Sequence, residues 1–217
     1  MRRTLTLALL ATATLLSGCE TAYYATMEKV GFAKRDILVS RVESARDSQQ
    51  EARQEITDAL TEFGRVVAYD GGDLEVQYKR LAAQLEDSEA AATAVRTRIT
   101  DVESVAEALF DEWQDELAQY SNASLRTQSE QQLRRTRARY REMLGAMQRA
   151  ESRLEPALQP LRDQVLFLKH NLNARAVAGL KGEVSRMDAE VNRLVKELDA
   201  AIAEANRFIA ELDTNDG

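Results

Sequence analysis

Apolar residues along most of the chain recur at alternating intervals of four and three residues. The first such series has one polar member, Gln49, and consists of Leu38, Val42, Ala45, Gln49, Ala52, Ile56, Ala59 and Phe63. The second series consists of Leu74, Tyr78, Leu81, Leu85, Ser88, Ala92, Val95, Ile99, Val102, Ala106, Leu109 and Trp113. Heptads sustained over this length predict helices that pack side by side with a left-handed supercoil.

Two further series follow in the second half of the chain. The third consists of Leu133, Thr136, Tyr140, Met143, Met147, Ala150 and Leu154, and it resumes at Leu161, Val165, Leu168 and Leu172. The fourth consists of Val177, Leu180, Val184, Met187, Val191, Leu194, Leu198, Ala201, Ala205, Phe208 and Leu212. The four series predict an all-α fold, an elongated antiparallel helical bundle or coiled coil of about four long helices.

Residues typical of turns and helix caps separate the four series. Asp70-Gly71-Gly72-Asp73 offers glycines for a chain reversal and an aspartate to cap the next helix. Ser121 to Ser124 offers cap residues before the third helix. We also expect a turn at Asn171 to Asn173. If the third helix continued through these residues to Leu212, it would be about twice as long as either of the first two helices. The first two helices could then not cover its apolar face.

Pro156 and Pro160 lie within the third series. Pro160 lacks the N–H that would donate to the carbonyl of Pro156, so the sequence predicts a kink or a short break. A hinge is one interpretation of this feature. A bend that a long bundle helix tolerates is the interpretation that we favour.

The predicted bundle covers residues 19–212 and is followed by a disordered tail at residues 213–217. Short turns make consecutive helices antiparallel. The turn near Gly71 and the turn from Lys169 to Arg175 should therefore share one end of the bundle, which we call the distal end. The start of the first helix, the turn near Asn122 and the C-terminus should share the other end, which we call the basal end.

Composition and charge agree with long helices and exclude some partners. Of the 217 residues, 30% are charged and 6% aromatic, with only 9 Gly and 2 Pro. The net charge is −7. Because affinity for nucleic acids comes largely from neutralising phosphates, we expect no nucleic-acid partner. The single cysteine, Cys19, excludes an intramolecular disulfide.

Residues 1–18 have the features of a signal peptide. Arg2 and Arg3 precede an apolar run that is too short to span a bilayer. The following Leu16-Ser17-Gly18-Cys19 is similar to the lipobox of bacterial lipoproteins, whose cysteine thiol accepts diacylglycerol. The pattern predicts cleavage before Cys19, its acylation, and attachment to a membrane without a transmembrane helix. The alternative is an ordinary secretory signal in which the cysteine occurs by chance.

Lipidation of Cys19 predicts a position on the periplasmic side of the cell envelope. Glu20 follows, at the position where an aspartate is the usual signal for retention in the inner membrane, so we expect the outer membrane rather than the inner. Tyr23, Tyr24, Met27 and Phe32 come next. Contact with the membrane interface and packing against the base of the bundle are both compatible with these side chains.

Two clusters of opposite charge flank the predicted turn at Asn122. The basic cluster is Arg134, Arg135, Arg137, Arg139 and Arg141, and the acidic cluster is Asp101, Glu103, Glu107, Asp111, Glu112, Asp115 and Glu116. Folding back at the turn should bring residue 111 near residue 133 and residue 103 near residue 141. We expect interhelical ion pairs that set the register, and we favour these over a phosphate-binding site.

The two distal turns carry the best candidate for a partner-binding surface. It consists of Tyr69, Asp70, Asp73, Lys169, His170, Asn171, Asn173 and Arg175. The competing interpretation is ordinary helix capping. His170 is the only histidine, and no His/Cys cluster or His–Glu spacing accompanies it, so we expect a structural or solvated turn residue rather than a metal ligand.

Motifs for the common catalytic chemistries are missing from the sequence. It has no Gly-x-x-x-x-Gly-Lys-Ser/Thr phosphate loop, no Gly-x-Ser-x-Gly elbow and no Cys–His pair. Phe110 and Trp113 lie one helical turn apart, and we expect them in the core rather than as a ligand platform. The sequence predicts no catalytic residues, no metal site and no cofactor.

Several longer runs resemble one bacterial lipoprotein family, known as Domain of Unknown Function 2959. They extend over residues Tyr23 to Gly31, Lys34 to Val39, Ala106 to Trp113 and Asp163 to Ala174. The resemblance covers nearly all of the chain after Cys19. It implies a protein of the Gram-negative envelope with no established activity.

Three classes of function follow from these features. The first is a membrane-anchored, non-enzymatic helical scaffold or adaptor that binds an unidentified envelope protein. The second is a bundle that binds a ligand or lipid, which would need a cavity between the helices. The third, an enzyme or nucleic-acid protein, is disfavoured by charge and export. Pairing of two copies into a homo-oligomer is compatible with the heptads.

Overall fold

The computed structural model describes residues 34–69, 71 and 73–214, and the side chains up to residue 212. Its helices are α1 (Lys34–Val67), α2 (Leu74–Glu116), α3 (Ala123–His170), α4 (Ala174–Gly179) and α5 (Lys181–Thr214). A single 3-10 turn at Leu117–Gln119 follows α2. The structure confirms the predicted all-α bundle with four long helices, and adds the short α4 between the third and the fourth.

Side-chain caps begin three of the helices at the predicted turns. Asp73 accepts hydrogen bonds from the backbone N–H groups two and three residues later, at 3.0 and 3.2 Å. Asn122 does the same at the start of α3, at 2.9 and 3.2 Å. Asn173 accepts one such bond at the start of α4, at 3.0 Å. These caps satisfy amides that have no partner within the helix, which is why the elements begin there.

Two turns at the distal end reverse the chain. Gly71, between α1 and α2, has a φ of +142°, a conformation that side chains rarely tolerate, so the glycine is required by the backbone. At the second turn α3 ends at His170, and Asn171 and Asn173 flank the short connection to α4. The predicted turn at residues 171–173 is therefore confirmed.

The four long helices form a ring in which each has two antiparallel neighbours. Helix α1 packs against α2 and α5, and α3 packs against the same two helices. Arg53 of α1 meets Asp199 of α5 at 2.6 Å, and Arg96 of α2 meets Glu151 of α3 at 3.1 Å. Helix α4 packs against α1 and α5, which brings the connection after α3 to the distal end of the ring.

The heptad positions face the interior, as predicted. Every member of the four series is buried or partly buried, and the buried members form one continuous core. Its largest fully buried side chains include Phe63, Leu154 and Leu194. Three polar members, Gln49, Ser88 and Thr136, also lie inside. Ser88 donates to the Glu55 carbonyl across the α1–α2 interface at 3.0 Å.

Helix α3 continues through both prolines without the short break that the sequence suggested. Ala157 and Leu158, between the prolines, are buried, as are Leu154 and Leu161 on either side. The apolar contacts of these residues hold the segment in the bundle, although each proline lacks the N–H that would donate to the carbonyl four residues earlier.

Some predicted features lie outside the described residues. These are the signal peptide at residues 1–18, the lipidation site Cys19, and Asp70. The side chains expected at the membrane interface or at the base of the bundle, Tyr23, Tyr24, Met27 and Phe32, also lie outside the described part. The expected tail at residues 213–217 needs correction at its start, because α5 continues to Thr214. Residues 215–217 lie outside the described part.

Candidate functional site

The predicted partner surface divides into capping residues and exposed residues. Asp73 and Asn173 are the N-caps described above, and Asn171 is the C-cap of α3, where its side-chain amide donates to the Phe167 carbonyl at 3.0 Å. Tyr69 is half-buried and packs against the core. For these four residues the structure supports the capping or packing interpretation.

Three other members of the predicted surface remain available to a partner. Lys169, His170 and Arg175 are exposed. Lys181, which the sequence analysis did not single out, is exposed close by at the start of α5. Within the described part of the chain neither Lys169, Arg175 nor Lys181 forms an ion pair, whereas most cations on the helix flanks do.

Exposed apolar side chains accompany these cations. Leu166 is 59% exposed and Phe167 is 43% exposed on the last turn of α3. Both lie between heptad positions, since Val165 and Leu168 face the core. The signal for them was in the sequence, because two large apolar residues outside the core-facing series must lie on the outside of the helix. We call Leu166, Phe167, Lys169, His170, Arg175 and Lys181 the distal surface.

The predicted ion pairs across the Asn122 hairpin do not form, and that prediction was wrong. Arg137 is the one member of the basic cluster that reaches α2. It donates to the backbone carbonyl of Phe110 at 2.9 Å, and its guanidinium lies 5.4 Å from the centre of the Phe110 ring. Arg139 pairs with Glu142 and with Glu211 of α5 instead. The antiparallel register itself is close to the expected one, since Arg137 lies beside Phe110.

Ion pairing between α2 and α3 occurs further along the bundle. Arg162 meets Glu89 at 2.7 Å and Glu155 at 2.8 Å, and Arg96 lies 3.7 Å from the same Glu155. Hydrogen bonding and the positive charge of Arg162 hold the pKa of Glu155 below its usual value. The network is solvent-exposed, so it specifies which faces meet more than it stabilises the fold.

An aromatic cluster joins α2, α3 and α5 near the basal end. Tyr140 packs edge-on against Phe110, with ring centres 5.3 Å apart, and lies 6.4 Å from Phe208. Burial raises the pKa of Tyr140 to about 12, and the nearby charges of Glu103 and Glu107 act in the same direction. As predicted, Phe110 belongs to the core, while Trp113 is only partly buried.

Open depressions lie at the basal end of the described bundle. Lys34, the first described residue of α1, pairs with Glu112 of α2 at 2.9 Å. Three adjoining depressions of about 390, 440 and 430 Å³ share Gln132 of α3. We call the second of these the basal groove, which is lined by Arg35, Leu109, Glu112, Trp113, Glu116, Gln132, Thr136 and Leu212.

A pocket further inside the bundle is much smaller than these depressions. A pocket between α1, α3 and α5 lined by Ile56, Leu161 and Met187 holds about 10 Å³, room for a single water at most. In residues 34–69, 71 and 73–214, no group of three or more His, Cys, Asp or Glu side chains is placed to hold a metal ion. Over the same residues, no helix combines the length and the apolar character needed to cross a membrane.

The sequence matches one protein-family model over residues 23–212, and that family is described as a protein of unknown function (DUF2959). No curated protein matches the chain. The matched range contains all of α1 to α4 and α5 up to Leu212, and it begins before the first described residue. The chain therefore belongs to the DUF2959 family.

Proposed function

We propose that this protein is a non-enzymatic scaffold or adaptor on the periplasmic side of the cell envelope. Lipid on Cys19 attaches it to a membrane, the outer membrane rather than the inner. The bundle then holds the distal surface away from that membrane for an envelope protein to bind. The observation that carries the proposal is the concentration of exposed apolar and unpaired cationic side chains at the end opposite the N-terminus.

The geometry of the bundle supports this orientation. Helix α1 begins at the basal end, so a lipid on Cys19 would lie on that side. Tyr120 and Leu125, at the tip of the α2–α3 hairpin on the same side, are 41% and 50% exposed. Tyrosine favours the boundary between water and lipid, and leucine favours the lipid itself. A helix of 48 residues such as α3 is about 70 Å long, which sets the reach of the distal surface.

The chemistry of the distal surface indicates the class of partner. Leu166 and Phe167 supply apolar contact area, and aromatic side chains dominate the energies of protein interfaces. Lys169, Arg175 and Lys181 add positive charge to a chain whose net charge is −7. The complementary partner is an acidic protein segment with apolar side chains, attracted and oriented by charge.

The alternative, a bundle that binds a ligand or lipid between its helices, has less support. The 10 Å³ pocket described above would not admit an organic ligand. The basal groove of about 440 Å³ lies at the open end of the bundle, where residues of all four long helices line it.

Membrane attachment is tested by comparing wild type with Cys19→Ala. The wild-type protein should sediment with outer membranes after density separation, and mass spectrometry should find an N-terminal acylated Cys19. The Cys19→Ala protein should lose both properties. An intact, unmodified N-terminus at Met1 in the membrane-free fraction would overturn the anchoring and the location.

Partner binding is tested with a photoreactive phenylalanine analogue at position 167, compared with the same analogue at Ser152 on the exposed flank of α3. A cross-link to one envelope protein should form only from position 167. Lys169→Glu with Arg175→Glu should abolish it. Arg141→Glu with Lys196→Glu reverses two other exposed, unpaired cations and should leave it unchanged. Equal cross-linking from both positions, or equal loss in both charge variants, would contradict the adaptor role.

A further inference from the structure

The basal groove has an apolar floor whose polar groups are already satisfied. Leu109 and Trp113 come from α2, Thr136 from α3 and Leu212 from α5. The indole Nε1 of Trp113 donates to the Ser129 hydroxyl at 2.8 Å, so the ring needs no further polar partner. The groove therefore offers mainly apolar surface in a volume of about 440 Å³.

The chain enters α1 at the rim of this groove. Lys34, the first described residue, pairs with Glu112 in the groove wall at 2.9 Å. Arg35 lines the groove and donates to the Leu212 carbonyl on its opposite side. Whatever precedes Lys34 in the sequence is consequently held beside the opening at an effective concentration on the order of millimolar or higher.

The residues that precede Lys34 carry apolar side chains that do not continue the core-facing series of α1. Extending that series backwards from Leu38 gives positions 35, 31, 28 and 24, which are Arg35, Gly31, Glu28 and Tyr24, so only the last of them is apolar. The apolar residues Tyr23, Met27 and Val30 are offset from it by one position. These three residues continue instead the line of Lys34 and Ile37, on the side of α1 where Lys34 meets Glu112 in the groove wall, so their apolar face is matched to the groove.

We propose that the basal groove is the docking site for residues 23–32 of the same chain. The family match supports this occupant, because it begins at residue 23 rather than at the start of α1. A tether without packing contacts is free to vary in length and composition, so it is not expected to be part of a shared family sequence. Only residues 20–22 would then separate the docked segment from Cys19.

Docking of this segment would fix the orientation of the bundle relative to its membrane anchor. A free segment of this length would let the bundle take any orientation at a membrane, whereas a docked one fixes the basal end against it. The inference concerns the packing of the chain itself and does not depend on acylation or on a partner, so it stands or fails separately from the proposed function.

Trp113 is the only tryptophan in the chain, so its fluorescence reports on the groove alone. The test uses the chain from residue 19 with Cys19→Ser, and a variant with Tyr23→Ser, Met27→Ser and Val30→Ser. The variant should shift the Trp113 emission to the red and make it more accessible to acrylamide. A matched control with Thr26→Ser, Glu28→Ser and Lys29→Ser should keep the original spectrum, and circular dichroism should show equal helix content in all three.

A disulfide trap tests the contact directly in the same Cys19→Ser background. Cysteines at Met27 and Gln132 should form a bond under mild oxidation, because bridging requires Cα atoms within about 7 Å. A pair at Met27 and Glu151, on the flank of α3, should remain reduced. Bonding in neither pair, or equally in both, would overturn the proposal.

Other occupants give different results. If the serine variant leaves Trp113 unchanged but added fatty acid shifts its emission to the blue, the groove binds an acyl chain and the proposal is wrong. Alternatively, quenching of Trp113 by acrylamide could decrease with rising protein concentration in both the parent chain and the serine variant. A second copy would then cover the groove, and the proposal would be equally wrong.

Discussion

Gln49 is a polar residue in the middle of the core-facing series of α1. Its side chain is 0% exposed, and neither its amide nitrogen nor its oxygen has a hydrogen-bond partner in the described part of the chain. A buried amide without partners costs about 1–3 kcal/mol, since its bonds to water in the unfolded chain are not replaced. Replacing it by an apolar side chain of similar length should therefore stabilise the protein.

We predict that Gln49→Met raises the free energy of unfolding by about 1–3 kcal/mol. For a chain of this size each kcal/mol shifts the melting temperature by about 2–4 °C, so the expected gain is roughly 2–12 °C. The measurement is thermal and urea unfolding followed by circular dichroism. Methionine is suited to the site because its flexible side chain fills irregular gaps.

Gln54→Met is the matched control, because Gln54 lies on the exposed side of the same helix and donates to Asp58 at 2.8 Å. Its effect should stay within about 0.5 kcal/mol. Equal or lower stability of Gln49→Met would refute the argument and show that the buried amide is satisfied in solution. A change from one oligomeric state to several would show instead that Gln49 specifies the pairing of the helices.

Three other outcomes follow from the structure. Phe63→Ala should cost about 3–5 kcal/mol in urea unfolding, because the ring is fully buried, whereas Phe167→Ala at the exposed end of α3 should change stability by under about 0.5 kcal/mol. Asp73→Ala should cost about 1 kcal/mol by removing the cap of α2, and Asp73→Asn should recover most of it. Folding raises the pKa of Tyr140 to about 12, so as the pH rises the hydroxyl of this residue ionises first in the unfolded chain. The stability that the protonated Tyr140 contributes is therefore complete below about pH 10 and is lost as the pH rises toward 12. Tyr140→Phe should remove that part of the alkaline decline, and equal decline in both proteins would contradict the assignment.

The sequence by itself determined which residues face the core and where the helices end. The heptad positions from Leu38 to Leu212 are all at least partly buried, and the turns fall at Gly71, Asn122 and Asn171 to Asn173. Both features arise from interactions a few residues apart. Helical periodicity places residues three and four apart on one face, and capping joins a side chain to amides two or three residues later.

Tertiary structure decided which charges meet and which ends remain open. The basic cluster from Arg134 to Arg141 had several acidic partners within reach, and exposed ion pairs are too weak to select among them. Because α5 packs beside α3, Arg139 pairs with Glu211. Arg137 instead donates to the backbone carbonyl of Phe110 and lies over the ring of the same residue. Likewise, Pro156 and Pro160 stay within a helix because buried neighbours hold them there.

For the two candidate surfaces, too, the sequence determined some features and the tertiary structure the others. The sequence located the distal turns, but only the fold separated their capping residues, Asp73 and Asn173, from the exposed Lys169 and Arg175. The basal groove could not be predicted from any single segment. Residues of all four long helices form it, and which residues meet there depends on how the helices align in the ring. Periodicity specifies which face of a helix is buried, whereas only packing specifies what lies against that face and at what level.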